Sequence, residues 1–407
     1  MSESETNTLL SRDDVQQAVH NALGSDAQLV DYSLKSMSGD KVGFAGAHQF
    51  LHIEATTKNG EKSTLRLFVK TLPYDIPVQV AMIENCKLFV KESKFYESVL
   101  PKLMESIKDK HWSALCYLAK ENVLILDNLK DKNFELKGMS LTGLYMKSAV
   151  KTLALMHASA MIAEKKLGKS FLELYPEVFQ EAVWTTTTKF YDWYTYGVEA
   201  AVAVAKRHGL DHACISRVCG AVFEKAAPSR GKWRNVVCHG DTWAYNCLFD
   251  EATPLPRCAL VDFQMIRYAP ATSDVATLLY LATRKDERRK IEKDTLRHYH
   301  EELRSALREN DPTIEPPTLE YIMEEYEDMK LIGMVHAMVD RPVTQILEIE
   351  NSADMDSGDA GMGIVFGKRD ELVTKLMDEH PDYKDMVLEF IGEIIEYAER
   401  PPPEATK

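Results

Sequence analysis

The chain has 407 residues, 45% of them hydrophobic, and a formal net charge of −14. A chain this long buries a large core and divides into two domains or lobes. The acidic balance excludes a nucleic-acid backbone as partner, since phosphate binding needs clustered Lys and Arg, and no apolar run reaches the length of a membrane span. The seven cysteines, Cys86, Cys116, Cys214, Cys219, Cys238, Cys247 and Cys258, are scattered, odd in number and without a C-x-x-C pair. Such usage fits reduced thiols in a cytoplasmic protein. Residues 1–7 are polar and acidic, unlike a signal peptide.

Residues 8–30 carry Val15, Val19 and Leu23 at helical spacing and predict a helix. A glycine-bearing loop follows, with Ser38-Gly39-Asp40 and Gly43-Phe44-Ala45-Gly46. Residues 49–57 read as a strand, and Lys58-Asn59-Gly60-Glu61 reads as a hairpin turn, because Asn-Gly tolerates the positive φ of a tight primed turn. The return strand, 64–72, has Leu65, Leu67 and Val69 on one face and Arg66, Phe68 and Lys70 on the other. Folding about Asn59-Gly60 brings Lys70 near Gln49, beside Gly43 and Gly46. A glycine loop over phosphates with a strand lysine next to it is the nucleotide arrangement of kinases. Taken alone, the loop reads equally as an ordinary turn and Lys70 as a solvated strand lysine.

Residues 84–107 predict one helix, whose Phe89, Phe95, Tyr96 and Val99 form an apolar stripe close to Glu92. Glu92 there either pairs with Lys70 or sits on the surface beside Lys91 and Lys94, and Glu84 is the spare candidate. Residues 123–126 form an apolar strand that ends in Asp127-Asn128-Leu129. This is read as a hinge, where the backbone of Leu126, Asp127 and Asn128 meets an adenine edge. Residues 141–162 predict a helix with Met146, Val150, Leu153 and His157 on one stripe, which reads His157 as a hydrogen-bonded core histidine, with a catalytic role as the alternative. The aromatic run 190–196 reads as a wall of an apolar substrate pocket, as core packing or as an exposed interface. Thr272-Ser273-Asp274 offers N-cap chemistry to a helix over 275–283. Residues 284–293 mix charges and predict a solvated face. Residues 351–363 predict a flexible loop, a candidate lid, and 399–407 a disordered tail.

The richest stretch is His239-Gly240-Asp241-Thr242-Trp243-Ala244-Tyr245-Asn246, followed by Asp262-Phe263-Gln264. Apolar runs at 236–238, 247–249 and 258–261 flank it, with turn signals at Asp250, Pro254 and Pro256 between the last two. Read as a hairpin, the last two runs bring Asn246 and Asp262 side by side at one end. Mg²⁺ binds in this way, through few protein oxygens completed by phosphate and water. Asp241 lies one loop away, placed to take a proton from an attacking hydroxyl. Cys238, His239 and Cys247 have the wrong spacing for a zinc site, and the two thiols lie in apolar runs. Gly240 in place of Arg, and the lack of an Ala-Pro-Glu segment after Asp262, point away from protein kinases toward kinases of small molecules.

Six segments occur in order: Leu67-Phe68-Val69-Lys70, Glu92-Ser93-Lys94-Phe95-Tyr96, Leu126-Asp127-Asn128-Leu129, Leu153-Ala154-Leu155-Met156-His157-Ala158, His239-Gly240-Asp241-x-Trp243-x-x-Asn246 and Asp262-Phe263-Gln264. Together they resemble the ecdysteroid kinase-like family, related to choline kinases and aminoglycoside phosphotransferases. The resemblance implies an α+β, two-lobed protein-kinase-like fold. Its small N-terminal antiparallel-sheet lobe would span residues 1–128 and its larger, mainly helical C-terminal lobe 129–407. It implies ATP and Mg²⁺ as cofactors and a small-molecule alcohol as substrate, an ecdysteroid or a foreign hydroxyl compound; no obligate protein partner is evident. Asp241 would be the base, Asn246 and Asp262 the metal ligands, and Lys70, positioned by Glu92, the phosphate contact. His239 would brace the loop. Gln264 and the loop at 43–46 depart from the usual kinase pattern. The alternative is a kinase-shaped binding protein that sequesters a lipophilic molecule near Tyr191 and Trp193; intact Lys70, Asp241, Asn246 and Asp262 favour the enzyme.

Overall fold

The computed structural model describes residues 10–37, 46–349 and 358–400. The first helix, α1 (Arg12–Leu23), starts at a capping box in which the Ser11 and Asp14 side chains each accept from the other's backbone N–H. It is shorter than the sequence suggests. Gly24 turns out of the helix at φ +101, and Gln28 already pairs with Thr56 in a sheet.

Strands β1 (Gln28–Ser36), β2 (Ala47–Thr56), β3 (Lys62–Thr71), β4 (Cys116–Lys120) and β5 (Val123–Asp127) form one antiparallel sheet in the order β1-β2-β3-β5-β4. The predicted turn joins β2 to β3, with Gly60 at φ +77. Alternation along the strands gives the sheet two unlike faces. Leu51, Ile53, Leu67, Val69, Val123 and Ile125 pack on Val15, Ala18 and Val19 of α1. Lys70 lies on the opposite face, directly across from His48 and Leu124.

The helix expected over 84–107 is broken. Helix α2 (Pro77–Asn85) ends where Lys87 enters the left-handed region at φ +55. Helix α3 (Leu88–Lys94) then runs into a π-helical turn, Phe95–Val99, before α4 (Leu100–Glu105). Pro101 has no N–H to continue the regular ladder, which accounts for the widened turn before it. The long helix α5 (Gly143–Leu167) buries Met146, Val150, Leu153 and His157, as its periodicity predicts. The His157 Nδ1 lies 2.8 Å from the Tyr299 hydroxyl. Strand β6 (Asn235–Cys238) and the antiparallel pair β7 (Cys247–Asp250) and β8 (Arg257–Leu260) lead to the motif-bearing loops.

The chain forms two compact units. One comprises Met1–Gln180, Val236–Tyr268 and Arg297–Pro317, the other Glu181–Asn235, Ala269–Leu296 and Thr318–Lys407. The second is helical. Its aromatic run starts α6 (Phe190–Arg207), where Trp193 is core, packed on Trp184 and His336 at 5.8 and 5.6 Å, while Tyr191 is exposed. Helix α7 (Thr272–Ala282) begins three residues before the expected start, so Thr272, Ser273 and Asp274 form its first turn rather than its cap. The donors there are met from outside: Glu325 of α9 (Leu319–Ile349) accepts the Thr272 N–H at 2.8 Å and its hydroxyl at 2.9 Å. The expected solvated face at the start of α8 (Lys285–Asn310) is interrupted by Arg288. Only 1% exposed, it pairs with Glu393 and lies 4.0 Å over the Tyr280 ring. The loop expected over 351–363 becomes helix from Gly358, in α10 (Gly358–Phe366); residues 351–357 and the expected tail beyond Arg400 lie outside the described residues. Among the described residues no helix is long and apolar enough to cross a membrane.

Burial pushes the Glu325 carboxyl up from 4.5 to about 7, against the pull of its Thr272 bonds. The folded protein therefore holds a proton between about pH 4.5 and 7 that the unfolded chain has released. The stability this proton contributes is greatest below that window and is lost as pH rises through it. Urea unfolding of wild type and Glu325→Gln is expected to show a difference that changes by about 3 kcal/mol across the window, with wild type losing stability toward pH 8.

Candidate active site

Everything in this site lies in the first unit. Lys70 on β3 is 5% exposed and Glu92 on α3 is 1% exposed. The Lys70 ammonium donates to Glu92 Oε2 at 2.6 Å and to Asp262 Oδ1 at 2.7 Å. The sheet brings Lys70 opposite His48, one residue from the expected Gln49. Helix α3 turns Glu92 inward because its lysines are held elsewhere: Lys91 Nζ donates to the Gln180 carbonyl at 2.7 Å and Lys94 reaches Glu177 at 3.4 Å. Glu84, the spare candidate, is exposed.

Burial works against the Lys70 charge, yet Asp262 and Glu92 together hold its pKa above the usual lysine range. The same burial pushes Glu92 up to about 7, Lys70 pulls it down, and the neighbouring Asp262 charge adds to the rise. Two carboxylates share one ammonium, and the more deeply buried of the two feels the excess. His48, unrecognised in the sequence because the strand was read as starting at Gln49, is pushed down to about 4, first by burial and then by the Lys70 charge. It stays neutral beside Lys70, its ring 5.1 Å from Phe68. Gly46 packs directly on Lys70, since a Cβ there would lie 2.9 Å from Lys70 Cε. Gly43 lies outside the described residues.

The loop after β6 is built around His239, which is fully buried. The Asp241 N–H donates to His239 Nδ1 at 3.3 Å, so Nε2 carries the proton and donates to the Val261 carbonyl at 2.9 Å. That ring ties the Asp241 loop to the residue before Asp262. Gly240 between them has φ +83, and a Cβ on it would lie 2.1 Å from the Met265 carbonyl oxygen. A glycine is required here by backbone contact and by conformation alike.

Asn246 donates through Nδ2 to the Asp241 carbonyl and to Asp241 Oδ2, both at 2.9 Å. Its amide oxygen is the acceptor that remains. The Val261 N–H donates to the Asn246 carbonyl at 3.1 Å, which sets the start of β7 beside the end of β8 as the hairpin reading predicts. Asp262 follows at φ +65 and ψ +65, a left-handed conformation rare for a non-glycine residue. Gln264 Nε2 donates to Asp262 Oδ2 at 3.2 Å, a contact that spacing alone does not reveal. Phe263, fully buried, stacks on Phe95 at 4.5 Å and tilts against His239 at 4.8 Å.

At the expected hinge, Leu126 lies in the ladder between Phe68 and Cys116. The Asp127 N–H donates to the Leu115 carbonyl at 2.9 Å, and its carboxylate receives the Tyr117 hydroxyl at 2.7 Å and Lys132 at 2.6 Å. The Asn128 carbonyl receives the Asp131 N–H at 3.1 Å, while its Nδ2 is buried without a partner. Cys238 and Cys247 are fully buried, as their place in apolar runs predicts.

The sequence matches the model of the ecdysteroid kinase-like family over residues 44–311. No curated protein matches it significantly. Among solved structures it is similar to an ethanolamine kinase of Plasmodium vivax, at 12% identity over 89% of this chain and 85% of that one, with a TM-score of 0.41. It is similar to choline kinase LicA of Streptococcus pneumoniae, at 14% identity, 87% and 98% coverage and a TM-score of 0.35. A third is the amicoumacin kinase hAmiN, in complex with AMP-PNP and Ca²⁺, at 11% identity, 90% and 96% coverage and a TM-score of 0.42.

The Gly240 contact makes a sharp expectation. Gly240→Ala combines positive φ with backbone overlap and should cost about 2 kcal/mol or more. Gly60→Ala, at a positive φ with open space around it, should cost about 1 kcal/mol. Thermal denaturation of the two variants side by side measures the difference.

Proposed function

The chain belongs to the ecdysteroid kinase-like family, and on that premise we propose that it is an ATP- and Mg²⁺-dependent kinase of small molecules. Its fold is kinase-like α+β, an N-terminal antiparallel sheet followed by a mainly helical part. We place the boundary between lobes after Asn128. The γ-phosphate goes to a hydroxyl of an ecdysteroid or other sterol polyol, or of a foreign alcohol. The observation that carries this reading is Lys70 held between Glu92 and Asp262 at 2.6 and 2.7 Å.

The residues present fit the cofactors. Asp262 and the amide oxygen of Asn246 are hard oxygen donors of the kind Mg²⁺ takes with phosphate and water. When bound, the metal would neutralise charge on the β- and γ-phosphates. Gly46 leaves the backbone close to Lys70, where an anion can approach the ammonium. The raised pKa of Lys70 keeps that ammonium charged throughout the working pH range, so it supplies a fixed positive charge to the α- and β-phosphates.

Asp241 orients the acceptor hydroxyl and accepts its proton. The Asn246 amide, bonded to both the carboxylate and the carbonyl of Asp241, fixes the direction in which the base points. His239 holds the same loop from beneath. Phosphoryl transfer asks little covalent chemistry of a protein, so positioning and charge are what these side chains contribute.

Mg²⁺-dependent ADP release, measured against a panel of ecdysteroid, other sterol polyols, plant phenolic glycosides and choline, tests the proposal. Wild type should release ADP in response to an acceptor. Asp241→Asn should lose about 10²–10⁴-fold in turnover while still binding nucleotide. Full activity in that variant would remove Asp241 from the role of base. Asp262→Ala should lose Mg²⁺-dependent ATP binding in a calorimetric titration; unchanged binding would refute the ligand assignment. ATP binding without response to any acceptor would favour a binding protein.

A further inference from the structure

The sheet face that carries Lys70 also carries a polar side chain that none of the roles above uses. His48 of β2 stands directly across from Lys70. Its ring lies 5.1 Å from that of Phe68, two residues before Lys70 and on the same face. Gly46 shows how closely the two polar side chains converge. A Cβ built on it would lie 2.9 Å from Lys70 Cε and 3.3 Å from His48 Nε2, so a methyl group there would press on both.

Packing on Phe68 explains the ring of His48 but not its nitrogens. Imidazole nitrogens inside a protein are ordinarily hydrogen-bonded, because an unpaired one costs free energy. Two other histidines enclosed in this unit follow the rule. His157 meets the Tyr299 hydroxyl at 2.8 Å, and His239 uses Nδ1 and Nε2 at 3.3 and 2.9 Å. Neither ring nitrogen of His48 has a hydrogen-bond partner among the described residues. A phenylalanine would pack on Phe68 equally well. The residue is only half-buried, yet its surroundings and the Lys70 charge push its pKa down to about 4. Such a ring lines a recess, and at neutral pH it keeps one N–H to donate.

The charges beside it indicate what the recess suits. Glu92 and Asp262 both bond the Lys70 ammonium, so the cluster holds one more carboxylate than ammonium. An uncharged donor next to Lys70 attracts an anion without competing for either carboxylate. A phosphate oxygen can accept from an ammonium and an imidazole together, and a bond to an ionised acceptor is the stronger kind.

Resting on the kinase reading above, we infer that His48 is a nucleotide-binding residue, whose ring N–H donates to the same phosphate group that Lys70 contacts. Donors from two adjacent strands would then fix the direction of that group, which one flexible lysine leaves free to turn.

The test compares wild type, His48→Phe and His48→Gln by calorimetric titration with AMP-PNP, tripolyphosphate and adenosine, all with Mg²⁺. His48→Phe keeps a ring against Phe68 and loses the donor; His48→Gln keeps a donor and loses the ring. His48→Phe should weaken AMP-PNP and tripolyphosphate about tenfold and leave adenosine unchanged, and His48→Gln should recover most of the loss. Unchanged AMP-PNP affinity in His48→Phe overturns the inference. So does an equal loss for adenosine, which would make His48 a base contact or a purely structural ring. A wild type that binds neither AMP-PNP nor tripolyphosphate overturns it as well. The kinase reading fails separately: a wild type that binds AMP-PNP and tripolyphosphate, loses both in His48→Phe and releases no ADP with any acceptor keeps the His48 contact and loses only the transfer reaction.

Discussion

A single ammonium group, that of Lys70, joins three parts of the chain that are far apart in sequence. It comes from the middle of a sheet, and it receives Glu92 from a helix and Asp262 from the end of a hairpin. Taking these charges out of water costs several kcal/mol per ion, and the cost is offset only when geometry is good and further bonds are satisfied. The further bonds are present. Glu92 also meets the Phe263 N–H and Asp262 meets the Gln264 amide. Removing Lys70 would leave Glu92 buried and unpaired, so the three elements are held in register by electrostatics as well as by packing.

Packing supplies the second restraint. Phe263, next to Asp262, lies between Phe95, which continues the Glu92 helix, and His239, which organises the Asp241 loop. A displacement of Asp262 therefore disturbs both the lysine-bearing cluster and the Asp241 loop. The close approach of Gly240 to the Met265 carbonyl brings the two loops into backbone contact, where no side chain fits. Gly240 was informative in the sequence as a departure from protein kinases; its physical reason is this contact.

The sequence revealed the features that depend on short-range chemistry. Asn59-Gly60 makes its turn because few residue pairs tolerate that backbone, and the hairpin then determines where Lys70 falls. Apolar runs on each side of the motif likewise set Asn246 beside Val261. What was hidden depends on distant partners. The helix over 84–107 keeps its apolar stripe, but the left-handed Lys87 and the wide turn before Pro101 interrupt the ladder. Thr272 looked like a cap, yet a glutamate 53 residues away satisfies its donors and lets the helix start earlier. Arg288 looked solvated, yet the Glu393 carboxylate, the Thr283 carbonyl and the Tyr280 ring together make its burial possible. Periodicity records which face is apolar; it cannot record which polar group will arrive from elsewhere.

The position of Gln264 follows from the same charge count. Two carboxylates already share the Lys70 ammonium, and burial has pushed Glu92 up to about 7. An acidic residue at position 264 would add a third negative group beside Asp262, raising the cost of ionising all three. A glycine would avoid that charge but leave Asp262 Oδ2 without its amide donor. Glutamine does neither: it is neutral, it reaches back two residues, and it donates at 3.2 Å to the oxygen that Lys70 does not use. Each Asp262 oxygen thus has its own donor, which holds the carboxylate plane despite the left-handed backbone beneath it. The departure from the common kinase pattern is consistent with a site that already holds one more carboxylate than ammonium.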